Sequence, residues 1–235
     1  GFTIDLQNKD LRLVLEAARA INDVPIPGAI PNLAALLQPE SLARLVKHGE
    51  NFEPPQRSTT PLPFTADEWL TCILRRAVNA AFRLGTETNA TDLATLSVHP
   101  GVPSSVRVEA LEDLSQWAHP SSIDRVVGLH RPLPQRDPEP ARHALTAVWP
   151  QLEAGHSTNV LIAALDAAES LHLDRLPDRL KTLADSSDPA IRAEAIRRRS
   201  RVDLLPASEL ITRLDSGSLQ QRQEAFRALA NSSAP

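Results

Sequence analysis

The groups through which this chain could do chemistry are seven histidines, one cysteine and 29 acidic residues, and their spacing closes off most of the usual sites. Covalent attachment of a c-type haem needs C-x-x-C-H, and a single thiol, Cys72, cannot supply it. Cys72 falls within an apolar helical pattern, where a lone thiol packs as a small hydrophobe, and it has no intrachain disulfide partner. The histidines are His48, His99, His119, His130, His143, His156 and His172. No two stand three or four residues apart, so no helix face offers a pair of zinc ligands, and only loops distant in sequence could assemble one. There is no phosphate loop, dinucleotide fingerprint or G-x-S-x-G elbow. Glu109, Glu112 and Asp113 are spaced as a solvated helix face would place them. Catalytic, cofactor-binding and metal-binding residues are therefore all expected to be none within this chain.

One basic run stands out, at Arg197, Arg198, Arg199 and Arg201. It could be a docking patch for an acidic partner or a phosphate backbone. Equally, arginines at a helix C-terminus favour the macrodipole and cover apolar neighbours with their stems. The net charge of −4 argues against a general polyanion binder. Trp69, Trp117 and Trp149 are expected to anchor the core, the first two on helices that share a common packing code.

That code is clearest at residues 188–196, D-P-A-I-R-A-E-A-I. Asp188 can cap a helix whose N1 residue, Pro189, has no amide donor to lose. Ile191, Ala195 and Ile196 then share one face. The same face recurs at Leu13/Ala17/Ala18, Ile73/Ala77/Val78, Val106/Ala110/Leu111, Val160/Ala164/Leu165 and Gln221/Ala225/Phe226. Eight residues after each start stand Ile21, Ala81, Leu114, Ala168, Arg199 and Leu229, so Arg199 alone breaks an apolar series. A buried arginine there would need a partner. The alanines are separated by 60, 33, 54, 31 and 30 residues. Units of roughly 30–45 residues that bury their apolar faces only against neighbours define HEAT and armadillo-type solenoids.

The elements fit that reading. No stretch alternates with period two, so the fold class is all-α, an α–α superhelix of helix pairs. Helices are expected at about 10–22, 29–37, 41–48, 65–84, 91–98, 104–118, 121–129, 141–152, 157–171, 176–184, 188–201, 206–214 and 218–230. Gly85 is expected to cap the fourth in the left-handed conformation. Pro-rich loops interrupt the array at 51–64 and 131–140, since prolines 54, 55, 61 and 63, and then 132, 134, 138 and 140, exclude helix. In the second loop Arg131, Pro132 and Pro134 could form a rigid extended strap suited to docking a partner; equally, the segment could be an ordinary inter-helix loop. The whole of 1–235 is expected to be a single solenoid segment. It has no Met, even at position 1, and is expected to be cut from a longer polypeptide. No apolar run is long enough to span a membrane.

The residues at 188–196, with V-R-V-E-A-L at 106–111, resemble HEAT repeats. In that family the turn Asp and helix-start Arg hydrogen-bond within and between repeats. The resemblance implies this role for Asp188 and Arg192, with Arg107 and Arg222 at the matching Arg site. A narrower resemblance rests on residues 15–23 (LEAARAIND), 74–85 (LRRAVNAAFRLG), 107–117 and 124–134 (DRVVGLHRPLP). These resemble the helical-repeat region of PVC-type haem-binding multidomain bacterial proteins, from which the insertion at 53–63 departs. The resemblance implies a sugar-dehydrogenase-like β-propeller and a c-type cytochrome domain elsewhere in an exported, periplasmic parent chain. Haem c would then sit outside this segment, whose partners are the neighbouring domains or another protein. The implied function is a non-catalytic interaction and spacer module. The alternative is a nucleic-acid binder or DNA glycosylase-like enzyme on a HEAT scaffold.

A small residue four places into each copy implies close helix approach. Replacing Ala195 with Leu is expected to cost about 1–3 kcal/mol by overpacking, while Ala193→Leu, on the opposite face, stays near neutral. Equal urea midpoints for the two variants would refute the repeat register.

Overall fold

A computed structural model describes residues 6–51, 65–155, 157–201 and 207–232. The expected loop at 51–64 therefore lies almost wholly outside the described residues, as do residues 202–206. Twelve α-helices and no β-strand occur among the described residues. They divide into two compact units, Gly1–Leu171 and His172–Pro235, where one segment was expected.

The first unit contains α1 (Leu11–Asn22), α2 (Ile30–Ala34), α3 (Pro39–Glu50), α4 (Ala66–Leu84), α5 (Glu87–Val98), α6 (Ser104–Ser115), α7 (Glu139–Ala154) and α8 (Thr158–Ser170). Helices α1, α4, α6 and α8 stack in succession as one layer. Helices α2, α5 and α7 lie against them, with α5 on α7. The four helices of the first layer are the ones that carry the alanine code. Ala77, Ala110 and Ala164 are fully buried, as are Val78, Leu111 and Leu165 beside them. The code holds because an alanine at the crossing point lets neighbouring backbones approach, while the adjacent branched residue fills the groove.

In α1 the register is one residue later than the sequence pattern suggested. Val14, Leu15, Ala18 and Ile21 are buried, whereas Leu13 is 55% exposed. The Asp10 carboxylate fixes that start by accepting the Arg12 amide, 3.0 Å away.

The second unit contains α9 (Leu176–Leu183), α10 (Pro189–Arg201), α11 (Ala207–Ser216) and α12 (Leu219–Ser232). Within it α10 packs on α9 and α12, and α12 on α11. Ala195, Ile196 and Ala225 are fully buried, as the code requires, but Phe226 is exposed. Asp188 caps α10, its Oδ1 accepting the Ala190 amide at 2.8 Å and the Ile191 amide at 3.3 Å.

Helix boundaries follow local chemistry. The Thr65 and Glu68 side chains close a reciprocal capping box at the start of α4. Thr86 and Asn89 do the same for α5, which therefore begins four residues earlier than expected. Pro39, in the gap expected between two helices, opens α3 from its first turn, where its missing amide is harmless.

The helix expected at 121–129 is absent. Asp124 Oδ1 instead accepts the amides of Val126 (2.9 Å) and Val127 (3.2 Å), an Asx turn that competes with helix. Gly128 then adopts φ +69°, and Ile123 bridges His130 antiparallel. The chain leaves this turn as an extended segment.

Gly85 ends α4 in the left-handed conformation, φ +66°. A Cβ there would also collide with the Arg136 guanidinium, whereas one at Gly128 meets nothing. Both Gly→Ala variants carry the left-handed cost of about 1–2 kcal/mol. Gly85→Ala is expected to lose at least about 1 kcal/mol more, from overpacking. Denaturant midpoints that match for the two would show that Arg136 moves aside freely.

Candidate functional site

The extended segment beginning at Arg131 lies across the C-terminal ends of α1, α4 and α6, and its side chains alternate. Arg131, Leu133 and Arg136 face inward, while Pro132 and Pro134 are exposed. Backbone bonds hold it at both ends, Arg131 N donating to Ser122 O (2.8 Å) and Arg136 N to Ala118 O (3.2 Å).

Each inward arginine caps helix ends. The last carbonyls of an α-helix have no intrahelical donor and carry the negative end of the dipole, so a guanidinium there satisfies both needs. Arg131 donates through Nη1 to Asn22 O (3.0 Å) and through Nη2 to Asp23 O (2.8 Å), both at the end of α1. Its Nη1 also reaches Asp124 Oδ2 at 3.3 Å. Arg136 donates to Phe82 O near the end of α4 (2.6 Å) and to Trp117 O just beyond α6 (2.8 Å). The same guanidinium stacks 4.5 Å from the Phe82 ring centre and 3.9 Å from that of Trp117. Those rings meet edge to face at 6.2 Å.

Asp124 ties the segment to the interior. Its fully buried side chain accepts from Asn79 Nδ2 (3.2 Å), which also donates to Asn22 Oδ1 (2.8 Å). Arg83 approaches the same carboxylate at 3.6 Å. Beside this network opens a pocket of about 240 Å³, lined by Phe82, Arg83, Asp113, Gln116, Asp124 and Arg131 among others.

Asp113 and Glu109 correct an expectation. Both were assigned to a solvated face, yet both are buried, because the 121–136 segment and α4 cover that side of α6. Arg75 on α4 pairs with Glu109 at 2.7 Å. Burial pushes the Asp113 carboxyl up to about 8; Arg125, 3.6 Å away, pulls it back, while Glu109 and Glu112 push it further up. Burial likewise lowers Arg136 to about 10, opposed by Asp113.

The other candidates separate into two groups. Each helix-start arginine donates to a backbone carbonyl of the turn or helix end before it. Arg107 donates to Ser97 O (2.7 Å), Arg192 to Ser186 O (2.6 Å) and Arg222 to Gly217 O (2.7 Å). The basic run does not form an exposed patch. Arg198 and Arg199 are buried, and Arg198 donates to Glu194 at 2.7 Å. Arg197 pairs with the same carboxylate. Arg199 thus occupies an interior position like its apolar counterparts, and the Arg201 side chain lies outside the described residues. Arg131, placed on a docking surface from sequence, is an internal anchor. Trp117 and Trp149 are fully buried, while Trp69 and Cys72 are half-buried.

Among the described residues no three His, Cys, Asp or Glu side chains are grouped to hold a metal, and no helix is long and apolar enough to cross a membrane. No family model matches the chain, and no curated protein matches it. It is similar to a crystal structure of an engineered protein at 18% identity and a TM-score of 0.38, over 96% of this chain and 92% of that one. That likeness is too slight to bear on fold or function.

Asp113 makes stability depend on pH with a definite sign. Its folded value lies above the ordinary 3.8, so the folded state holds the extra proton and stability falls as pH rises between those values. Asp113→Asn removes the dependence. Its stability relative to wild type is expected to rise by up to about 1.4 kcal/mol per pH unit between about pH 5 and 8. Parallel urea-denaturation profiles across that range would contradict the burial argument.

Proposed function

We propose that this chain is a non-catalytic helical-repeat interaction and spacer module, docking on neighbouring domains through the exposed prolines of the 131–140 segment. The observation that supports it is the stapling of that segment. Arg131 and Arg136 hold its two ends to helix termini while Pro132 and Pro134 face outward. A partner that binds there meets a segment already ordered, so association loses little conformational entropy. The resemblance to the repeat region of PVC-type haem-binding proteins supplies the partners. They are a dehydrogenase-like propeller and a c-type cytochrome domain of an exported polypeptide, with haem on the cytochrome domain and none on this segment.

The double variant P132A/P134A separates docking from folding. Because both prolines are exposed, the thermal midpoint of the isolated chain is expected to change little. Its association with the adjacent domain of the parent chain, read by calorimetry, is expected to weaken. Unchanged association would exclude the docking role. Covalent haem on the isolated chain, seen as a Soret band after expression in a cytochrome-maturing host, would overturn the placement of haem outside it.

A further inference from the structure

The pocket under the 121–136 segment has hydrogen-bonding capacity that the fold leaves unused. Arg131 is engaged through both Nη atoms, and Arg125 pairs with Glu112 through Nη1 and approaches Asp113 through Nε. Arg83 differs. Its contacts, to Arg131 O at 3.4 Å and to Asp124 Oδ2 at 3.6 Å, both use Nη1. Among the described residues nothing bonds the Nε–Nη2 edge of Arg83, and this planar pair of parallel donors matches the two oxygens of a carboxylate. Gln116, whose side chain has no hydrogen bond among the described residues, lines the same space, and Phe82, Ile123 and Leu133 give it apolar wall.

Charge points the same way. Arg83, Arg125 and Arg131 face Asp124 and Glu112, so the surround carries an excess positive charge while Asp113 is protonated. At about 240 Å³ the space falls below the roughly 300–1,000 Å³ of sites for drug-sized ligands.

We propose that this pocket binds a carboxylate carried on a short apolar body, with the Nε–Nη2 edge of Arg83 as its bidentate clamp and Phe82, Ile123 and Leu133 around its hydrocarbon. The carboxylate belongs either to a free organic acid or to the carboxyl terminus of a peptide. Bound anion favours the protonated form of Asp113, which faces Arg125 from the turn, Arg136 from the extended segment and Glu109 and Glu112 on its own helix. Binding therefore takes up a proton and weakens as pH rises through about 8.

Calorimetric titration of the full 235-residue chain with valerate, acetyl-Ala-Leu with a free carboxyl terminus, its amidated form and inorganic phosphate tests this. Saturable one-to-one binding is expected for valerate or for the free-terminus peptide, which distinguishes the two sources, and not for the amide. Arg83→Gln and Arg83→Lys are each expected to weaken it about tenfold or more, the lysine keeping the charge but losing the fork. The Arg83 Nε–H resonance of wild type is expected to shift on titration, a readout that needs no variant. No saturation by either acid at about 10 mM, phosphate binding as tightly as both, or an unmoved Arg83 resonance would overturn the proposal.

Discussion

Short helices leave a large share of their backbone carbonyls unpaired, and here arginines from other elements satisfy them. Arg107, Arg131, Arg136, Arg142, Arg192 and Arg222 each donate to a carbonyl at a helix end or in the turn beyond it. Arg136 is the most demanding case. Its guanidinium is partly desolvated, caps two helix ends and stacks on two aromatic rings, so removing it would strip several partners at once. Gly85 lacks a side chain where that guanidinium lies, and Phe82 and Trp117 sit where it stacks. Sequence features of α4, the α6 terminus and the extended segment thus converge on one cation.

The irregular spacing of the repeat has a physical meaning. From Ala110 to Ala164 the interval is 54 residues, and the excess over its neighbours is the Asx turn and extended segment between α6 and α7. This insertion provides Asp124, Arg125, Arg131 and Arg136 and buries Asp113. A regular helix pair would have left that face of α6 in water. The feature that breaks the repeat therefore builds both the pocket and the exposed prolines.

How far the sequence could be read depended on whether a signal was local. The extent of α4, the cap of α10, the left-handed Gly85 and the alanine layer were legible, because each depends on residues a few positions apart. The one-residue error in α1 arose because Ala17 and Ala18 both fit a helical face, and only packing on α4 decides between them. The 121–129 turn was expected to be helix. Two consecutive valines followed by glycine, after an aspartate able to cap their amides, were the local signal against it. Asp113 could not be recognised as buried, since its cover comes from residues whose path depends on that same turn. Arg131 was singled out for its neighbourhood of prolines, but its direction, inward to Asn22 and Asp23, is a tertiary fact.

A stack of repeats that touch only nearest neighbours can fray or bend one unit at a time. The extended segment adds couplings of longer range, joining the ends of α1, α4 and α6 through Arg131 and Arg136. To slide α4 against α6, or α1 against α4, would require these charge-assisted bonds to break together. The first unit should then answer load as a braced strut, and melt as one block, where an untied solenoid would behave as a spring.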